Sequence, residues 1–369
     1  MAKNAPIAVA SDGLAVDRLV GIDLARGVAV FGMYAAHVGP VPGEGGLVGN
    51  LMELASGRSS ALFAVLAGFS IILITGRKAP KSGVAGRQAI ARVAIRALIF
   101  LGLGSILTYL GAPVAVILQY YAICFLLVLP LYRLNAQQLG LLAAATALVL
   151  PQVRFLLLSM FGYDVSPVFK LMVSGTYPAM TWVPFVIAGM AIARLGLATQ
   201  ASHWRLGLAG GALAVLGYGG SWLALLPLPT ALQESALWSS DLGPSSLSLL
   251  VAAPHSETTF SILGNTGCAM IVLAACLLAM DALPHLRKLV WPIIAVGSMP
   301  LTAYVLHIVG IALLMHIGGI DMREGRSMSM LFGFIVVVST FAVLWLRVFQ
   351  RGPMEALMGR ISDLASRIP

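Results

Sequence analysis

The stretch Gly21-Ile-Asp23-Leu-Ala-Arg26-Gly27-Val-Ala-Val-Phe-Gly-Met-Tyr-Ala-Ala-His37 decides the fold class, because it is an apolar helix that carries three ionisable groups. Arg26 and His37 are eleven residues apart, about three turns plus 20°, so both side chains lie on one face. Their axial separation is about 16 Å, roughly half of a hydrocarbon core. Asp23 stands three residues before Arg26, close enough to pair with it. Ionisable groups are costly at membrane depth, so this face predicts an internal polar path bordered by both Arg26 and His37.

The rest of the chain agrees with a lipid surround. Of 369 residues, 59% are hydrophobic and 10% charged, and the mean hydropathy is +0.94. No soluble core can hide that much apolar surface. Apolar runs long enough to span recur at 20–38, 51–75, 90–110, 114–132, 137–156, 176–194, 205–226, 259–281, 291–315 and 328–348. They predict an all-α polytopic bundle of about ten transmembrane helices; the runs are too continuous for barrel strands.

Loop charges predict the orientation. With the N-terminus inside, 17 of the 23 Lys and Arg fall on inner segments and four (Arg154, Lys170, Arg323, Arg326) on outer ones, leaving Arg26 and Arg58 within spans. Both termini are therefore expected in the cytoplasm. The net charge of +9 reflects this topology; without a basic soluble domain, nucleic acid is not an expected partner. Cys124, Cys268 and Cys276 lie within expected spans and form neither a disulfide framework nor a metal-ligand spacing, so no metal is expected. The polar N-terminal tail has no short apolar region with a cleavage site, so the first span is expected to stay. The organisation read from these features is a cytoplasmic tail (1–19), a membrane bundle (20–350) and a cytoplasmic amphipathic C-terminal segment (351–369). One long external connection, 227–258, contains Pro227, Pro229, Pro244 and Pro254.

Arg18-Leu-Val-Gly-Ile-Asp23-Leu-Ala-Arg26-Gly27 followed by His37 resembles the opening of the multipass membrane acyltransferases, a superfamily that includes the heparan-alpha-glucosaminide N-acetyltransferases and the type-3 acyltransferases. The Arg26-x10-His37 spacing is similar to the arginine–histidine signature of the type-3 branch. Three further segments look like the YeiB-like branch: Arg58-Ser-Ser-Ala-Leu-Phe-Ala-Val-Leu-Ala-Gly68, Met299-Pro-Leu-Thr-Ala-Tyr-Val-Leu-His307 and Gly352-Pro353-Met-Glu355-Ala-Leu-Met. The resemblance covers residues 18 to about 360. It departs from the heparan type at one point: there an asparagine matches His37 and the histidine lies in the following loop, whereas Val38–Asn50 contains none. A catalytic role for His37 is therefore what the type-3 branch implies.

That resemblance implies acyl transfer across the membrane, from cytoplasmic acyl-CoA (acetyl-CoA first) to an envelope sugar, glycan or lipid, with no tightly bound cofactor. His37, toward the outer end of its helix, is the expected general base. Arg26 would position the donor and Asp23 would hold Arg26. The six Lys/Arg of Arg77–Arg96 suit phosphates, and equally suit anionic lipid. Glu53 and Arg58 open the next span on the outer side and are expected to flank His37. His255 and Ser256 end the outer loop on the same side, as candidates for acceptor binding, although Ser256 or Thr258 can also simply cap the next helix. Tyr304 and His307 are one turn apart, suited to substrate or to an interhelical bond. Gly27, Gly32 and Gly68 are expected to permit close helix packing rather than binding. The expected site is the plasma membrane, and the expected partners are acyl-CoA, an envelope acceptor and membrane lipids, with a homodimer left open. Two other classes compete: a transporter or flippase for an acylated lipid or small polar solute, and a non-catalytic membrane partner of an envelope assembly that docks through 227–258.

Overall fold

The computed structural model describes residues 9–41, 46–77, 79–230, 232, 245–283, 285–321 and 325–369, with the side chains of 9–19 left aside. Lys3, Lys78, Pro244, Arg323 and the side chain of Arg18, all used in the sequence reading, lie outside what is described. The described residues are helical, without strands.

The helices are α1 (Val9–Val38), α2 (Gly46–Ala55), α3 (Arg58–Thr75), α4 (Gly83–Tyr109), α5 (Leu118–Val128), α6 (Ala136–Phe161), α7 (Ala179–Arg194), α8 (Gln200–Leu225, with a π-helical turn at Val215–Gly219), α9 (Thr259–Ala282), α10 (Trp291–Ser298), α11 (Pro300–His316), α12 (Met328–Leu346) and α13 (Pro353–Ser362). Sequence sets their starts. Asn135 with Gln138 and Thr199 with Ser202 form capping boxes for α6 and α8, and Thr258 and Ser327 cap α9 and α12.

Six of these stretches are long and apolar enough to cross a membrane, and eight if each of two bent pairs counts as one span. Of the ten runs, 176–194 and 291–315 enter only as bent pairs, and 20–38 and 114–132 do not enter this count. Side chains of α1 are described only from Val20 on, and over that part Asp23, Arg26 and His37 lower the mean hydropathy. The run at 114–132 forms only the short Leu118–Arg133 helix. The run at 291–315 breaks at Met299–Pro300, where α10 and α11 meet at 90°, because proline cannot continue the preceding helix.

Packing is tightest where small residues let backbones touch. A methyl added at Gly27 would overlap the Ile293 carbonyl, and one at Gly297 the Asp23 carbonyl, so α1 and α10 lie in backbone contact. Gly68 and Gly189 do the same for α3 and α7. Gly32 faces Ser59 just as closely, so all three glycines serve packing as expected. The main core joins α3, α5, α7 and α9; a second cluster joins α1 with α10, α11 and α12. Outward faces keep Leu141, Leu148, Leu208, Leu223, Val336 and Val337 exposed, as a lipid surround permits. α1 already begins at Val9, so residue 20 is not a helix boundary.

The C-terminal segment belongs to the bundle. Arg87 of α4 donates to the Pro369 carbonyl at 2.9 and 2.6 Å, and Gln88 to Ser366 and Ile368. Glu355 on α13 accepts from the backbone N–H groups of Leu301 (2.7 Å) and Thr302 (3.1 Å) and from the Thr302 hydroxyl (2.6 Å). It thereby caps α11 from another helix, a carboxylate at a positive helix end.

Candidate active site

The Asp23–Arg26 pair forms as its spacing predicts. Arg26 Nη1 donates to Asp23 Oδ1 at 2.8 Å, and Nη2 reaches Ser70 Oγ on α3 at 2.9 Å. Arg26 opens onto a cavity of about 420 Å³. At one end stand Arg96 of α4, Arg351, and Glu355 and Gly359 of α13; at the other stand Ile117 and Tyr304. Three guanidinium groups thus border one space. Arg96 stood in the sequence within the basic stretch suited to phosphate or anionic lipid, and Arg351 only as a topology-setting charge; the fold brings both to the cavity. The basic stretch 77–96 is mostly the first half of α4 rather than a loop. Its other arginines are partly committed: Arg87 to the C-terminal carbonyl and Arg92 to Asp363 at 3.6 Å.

Eleven residues beyond Arg26, His37 does not border that cavity. Its Nδ1 lies 3.0 Å from Nε2 of His307 on α11, with the rings stacked at 19°. One of those nitrogens carries the hydrogen and the other accepts it, so the pair fixes complementary tautomers. Tyr304, 2% exposed, lies between the cavity and this pair. It lines the cavity, its hydroxyl oxygen accepts from the Ile117 N–H, and its ring meets His307 edge-on at 5.2 Å. The single void expected between Arg26 and His37 is therefore two compartments with a tyrosine partition. Two neighbouring helices meeting side by side, α1 and α11, build this arrangement, and neither sequence segment alone reveals it.

Arg326, read from sequence only as an outer charge, donates to the carbonyls of Gly39 and Ala36, and so clamps the end of α1 beside His37. Arg326 and His255 both lie within electrostatic reach of His37. Arg58 is held by other groups. Its Nε donates to the Tyr218 hydroxyl at 3.0 Å, its Nη1 to the Glu53 carbonyl at 3.0 Å, and it lies over the Tyr218 ring. Tyr218 in turn donates to Asn265, so Arg58 is a strut joining α2, α3, α8 and α9. The Glu53 side chain is exposed, and only its carbonyl is engaged among the described residues. Ser256 closes a turn to the Val251 carbonyl at 3.0 Å, and Thr258, not Ser256, caps α9.

Glu257 is the residue the sequence reading passed over. Its carboxylate is 5% exposed and lies 3.4 Å from Arg154. It accepts from Thr181 Oγ1 at 3.1 Å and Trp182 Nε1 at 3.0 Å. Burial pushes this carboxyl up to about 8, and Arg154, Trp182 and Thr181 pull it back part of the way. Both His255 and Glu257 adopt left-handed backbone at φ 58° and 59°, a conformation that costs energy outside glycine. The anchor at Glu257 holds that turn, and with it the His255 ring against Tyr177 and Trp182. An acid beside His255 in a loop was the available signal.

Comparison with known families now bears on this arrangement. The family model described as "Heparan-alpha-glucosaminide N-acetyltransferase, catalytic" matches residues 18–222. The chain belongs to that family. Its match holds Asp23, Arg26 and His37, and suggests a membrane acetyltransferase. A second model, "Protein of unknown function (DUF418)", matches residues 221–364, which contain Tyr304, His307, Arg351 and Glu355. The cavity and the histidine pair are therefore each assembled from both matched segments. No curated protein matches the chain. Among the described residues no cluster of metal-binding side chains occurs. His203 lies 3.0 Å from Asp281, and His316 bonds the Leu110 carbonyl; both serve packing.

Proposed function

We propose that this protein is an integral-membrane acyltransferase that moves an acyl group, acetyl first, from acyl-CoA to an acceptor at the His37–His307 pair. One observation carries the reading: a cavity with three guanidinium groups ends on a tyrosine whose ring touches that pair. Loop charges support a plasma-membrane orientation with both termini and the Arg96–Arg351 mouth in the cytoplasm. An even number of crossings follows, ten by the sequence runs. Arg26, Arg96 and Arg351 would take phosphate or carbonyl oxygens of the donor, since guanidinium forks suit them. The space is too small for a whole acyl-CoA, so the pantetheine arm would occupy it and the nucleotide would stay outside, against α4.

With its Nδ1 hydrogen-bonded to His307, His37 keeps Nε2 as the nitrogen that accepts a proton. The acceptor hydroxyl oxygen bonds to the thioester carbonyl carbon, and the C–S bond breaks. The hydroxyl proton passes to His37 and then to the departing thiolate, leaving CoA as the free thiol. The Tyr304 ring must turn aside for carbonyl and acceptor to meet. Asp23 keeps the Arg26 fork aligned, and Arg326 fixes the helix end that bears His37.

The test is release of CoA from labelled acetyl-CoA by detergent-purified protein supplied with envelope lipid and glycan fractions. His37→Ala should abolish it; turnover surviving in that variant would remove the assignment. A transporter reading has less support, because Tyr304 closes the Arg26 cavity before it reaches the histidines.

A further inference from the structure

A second space meets the histidine pair from the other side. Between α11 and α12 lies a groove of about 720 Å³, within the range of ligand sites, lined by Leu306, Leu313, Met330, Phe334, Val337 and Phe341 among others. Glycines make the room: Gly310 and Gly333 both line it. Polar groups occur at two places only, Tyr34 with His307, and Ser327 with Ser329 at the start of α12. α12 is one of the membrane-crossing helices, and Phe332, Val336 and Val337 on it are exposed. The groove therefore faces lipid rather than water.

His307 is the polar corner of this groove, and its ring meets that of Tyr304, which lines the Arg26 cavity. It is 1% exposed, and its Nδ1 makes no close hydrogen bond, with the Ala303 and Tyr304 carbonyls of the preceding turn nearby. When His37 donates from its own Nδ1 to His307 Nε2, the hydrogen of His307 sits on that Nδ1. A buried N–H without a close acceptor is costly, and a ligand oxygen would relieve it.

From this we infer that the groove seats the acceptor, and that the acceptor is a lipid with a hydroxyl-bearing head. The alkyl chain lies along α11 and α12, it arrives sideways from the bilayer, and its head oxygen meets His307 beside His37. This rests on the acyltransferase reading and names the acceptor class for it. Continuity with the catalytic pair, and a lining that is apolar except at that donor, select an amphiphile over a free sugar. A free sugar would bury hydroxyls against leucine and phenylalanine without partners.

The experiment uses the full chain in nanodiscs and a long-chain alcohol bearing a diazirine in its tail, with the matching methyl ether as control. Light should label peptides of α11 and α12 saturably. Both oxygens can accept from His307, but only the alcohol can also donate to His37 Nε2, so the free alcohol should compete about tenfold better than the ether, the effect of one buried hydrogen bond. A side chain added at Gly333 meets nothing within 4 Å, so Gly333→Phe should fold and fill the groove. It should suppress the label and raise KM for the lipid alcohol. Labelling that is unsaturable, equal for alcohol and ether, or indifferent to Gly333→Phe would mean annular lipid only and would overturn the inference. Turnover on the soluble alcohol with an unlabelled groove would also overturn it, while leaving the acyltransferase reading intact. A saturable label without any turnover would sink that reading and leave a lipid site.

Discussion

The cavity at Arg26 and the groove between α11 and α12 meet neighbouring residues of α11 and are both largely apolar, but only the cavity carries charged groups. One is bordered by Arg26, Arg96, Arg351 and Glu355; the other by leucine, phenylalanine, valine and methionine. Both end at the same turn of α11, where Tyr304 faces the first and His307 the second. On the proposed reading the charged donor and the lipid acceptor would use separate approaches that meet at a thin polar partition. The comparison also explains why Arg26 and His37, on one face of one helix, do not share a void: α11 crosses between the spaces they serve.

The largest effect that sharpens this contrast is loss of the base. His37→Ala should lower turnover by about 10²–10⁴-fold, the usual contribution of a positioned acid or base, with little change in donor KM. A comparable rise in donor KM would instead assign His37 to binding. Arg26→Ala should raise donor KM by roughly tenfold to a hundredfold, as for hydrogen bonds to charged groups, with Arg26→Lys recovering part of it. If only thermal stability falls, the Asp23–Arg26 pair is a packing device and the cavity is not the donor's.

Tyr304 is the place to break the partition itself. Tyr304→Ala should join the two spaces and let water reach the thioester, so CoA release without acceptor should increase while transfer to acceptor falls. Unchanged coupling would show that the ring is no barrier. Glu355→Ala should cost about 1–2 kcal/mol through loss of the α11 cap, read as a lower melting temperature in detergent, and Glu355→Gln should recover some of it.

A further effect concerns pH. Glu257 has its carboxyl raised from 4.5 to about 8. The folded state then holds a proton that the unfolded chain has released. Its contribution to stability is present below 4.5 and is lost as pH rises through about 8. Glu257→Gln should flatten that part of the stability profile and leave the acid side unchanged. An unaltered profile would mean that Arg154 keeps the carboxylate ionised throughout.

Much of this was legible along the chain. Asp23 and Arg26 pair because i and i+3 are neighbours on any helix, and Gly27 and Gly68 lie at backbone contacts because small residues in apolar helices go there. Tyr304 and His307 were visible as a polar turn within an apolar run. Other residues were readable only in part. Arg58 stood out as a buried charge, but its partner Tyr218 is 160 residues away. Glu257 was hidden inside a loop whose value depends on Thr181, Trp182 and Arg154 arriving from two other helices. The segments around Pro300 and Glu355 each resembled a family without revealing that one caps the other.

Sequence by itself determined the lipid surround, the helical class, the pairing of near neighbours and the polar face of the first span. Those follow from composition and from periodicities of three to four residues, which need no knowledge of what lies alongside. Tertiary structure alone decided that His37 bonds His307, that Tyr304 divides the interior, and that Arg96 and Arg351 join Arg26. Each of these depends on which helix packs against which, and side-chain chemistry at one position does not specify its neighbour across a bundle.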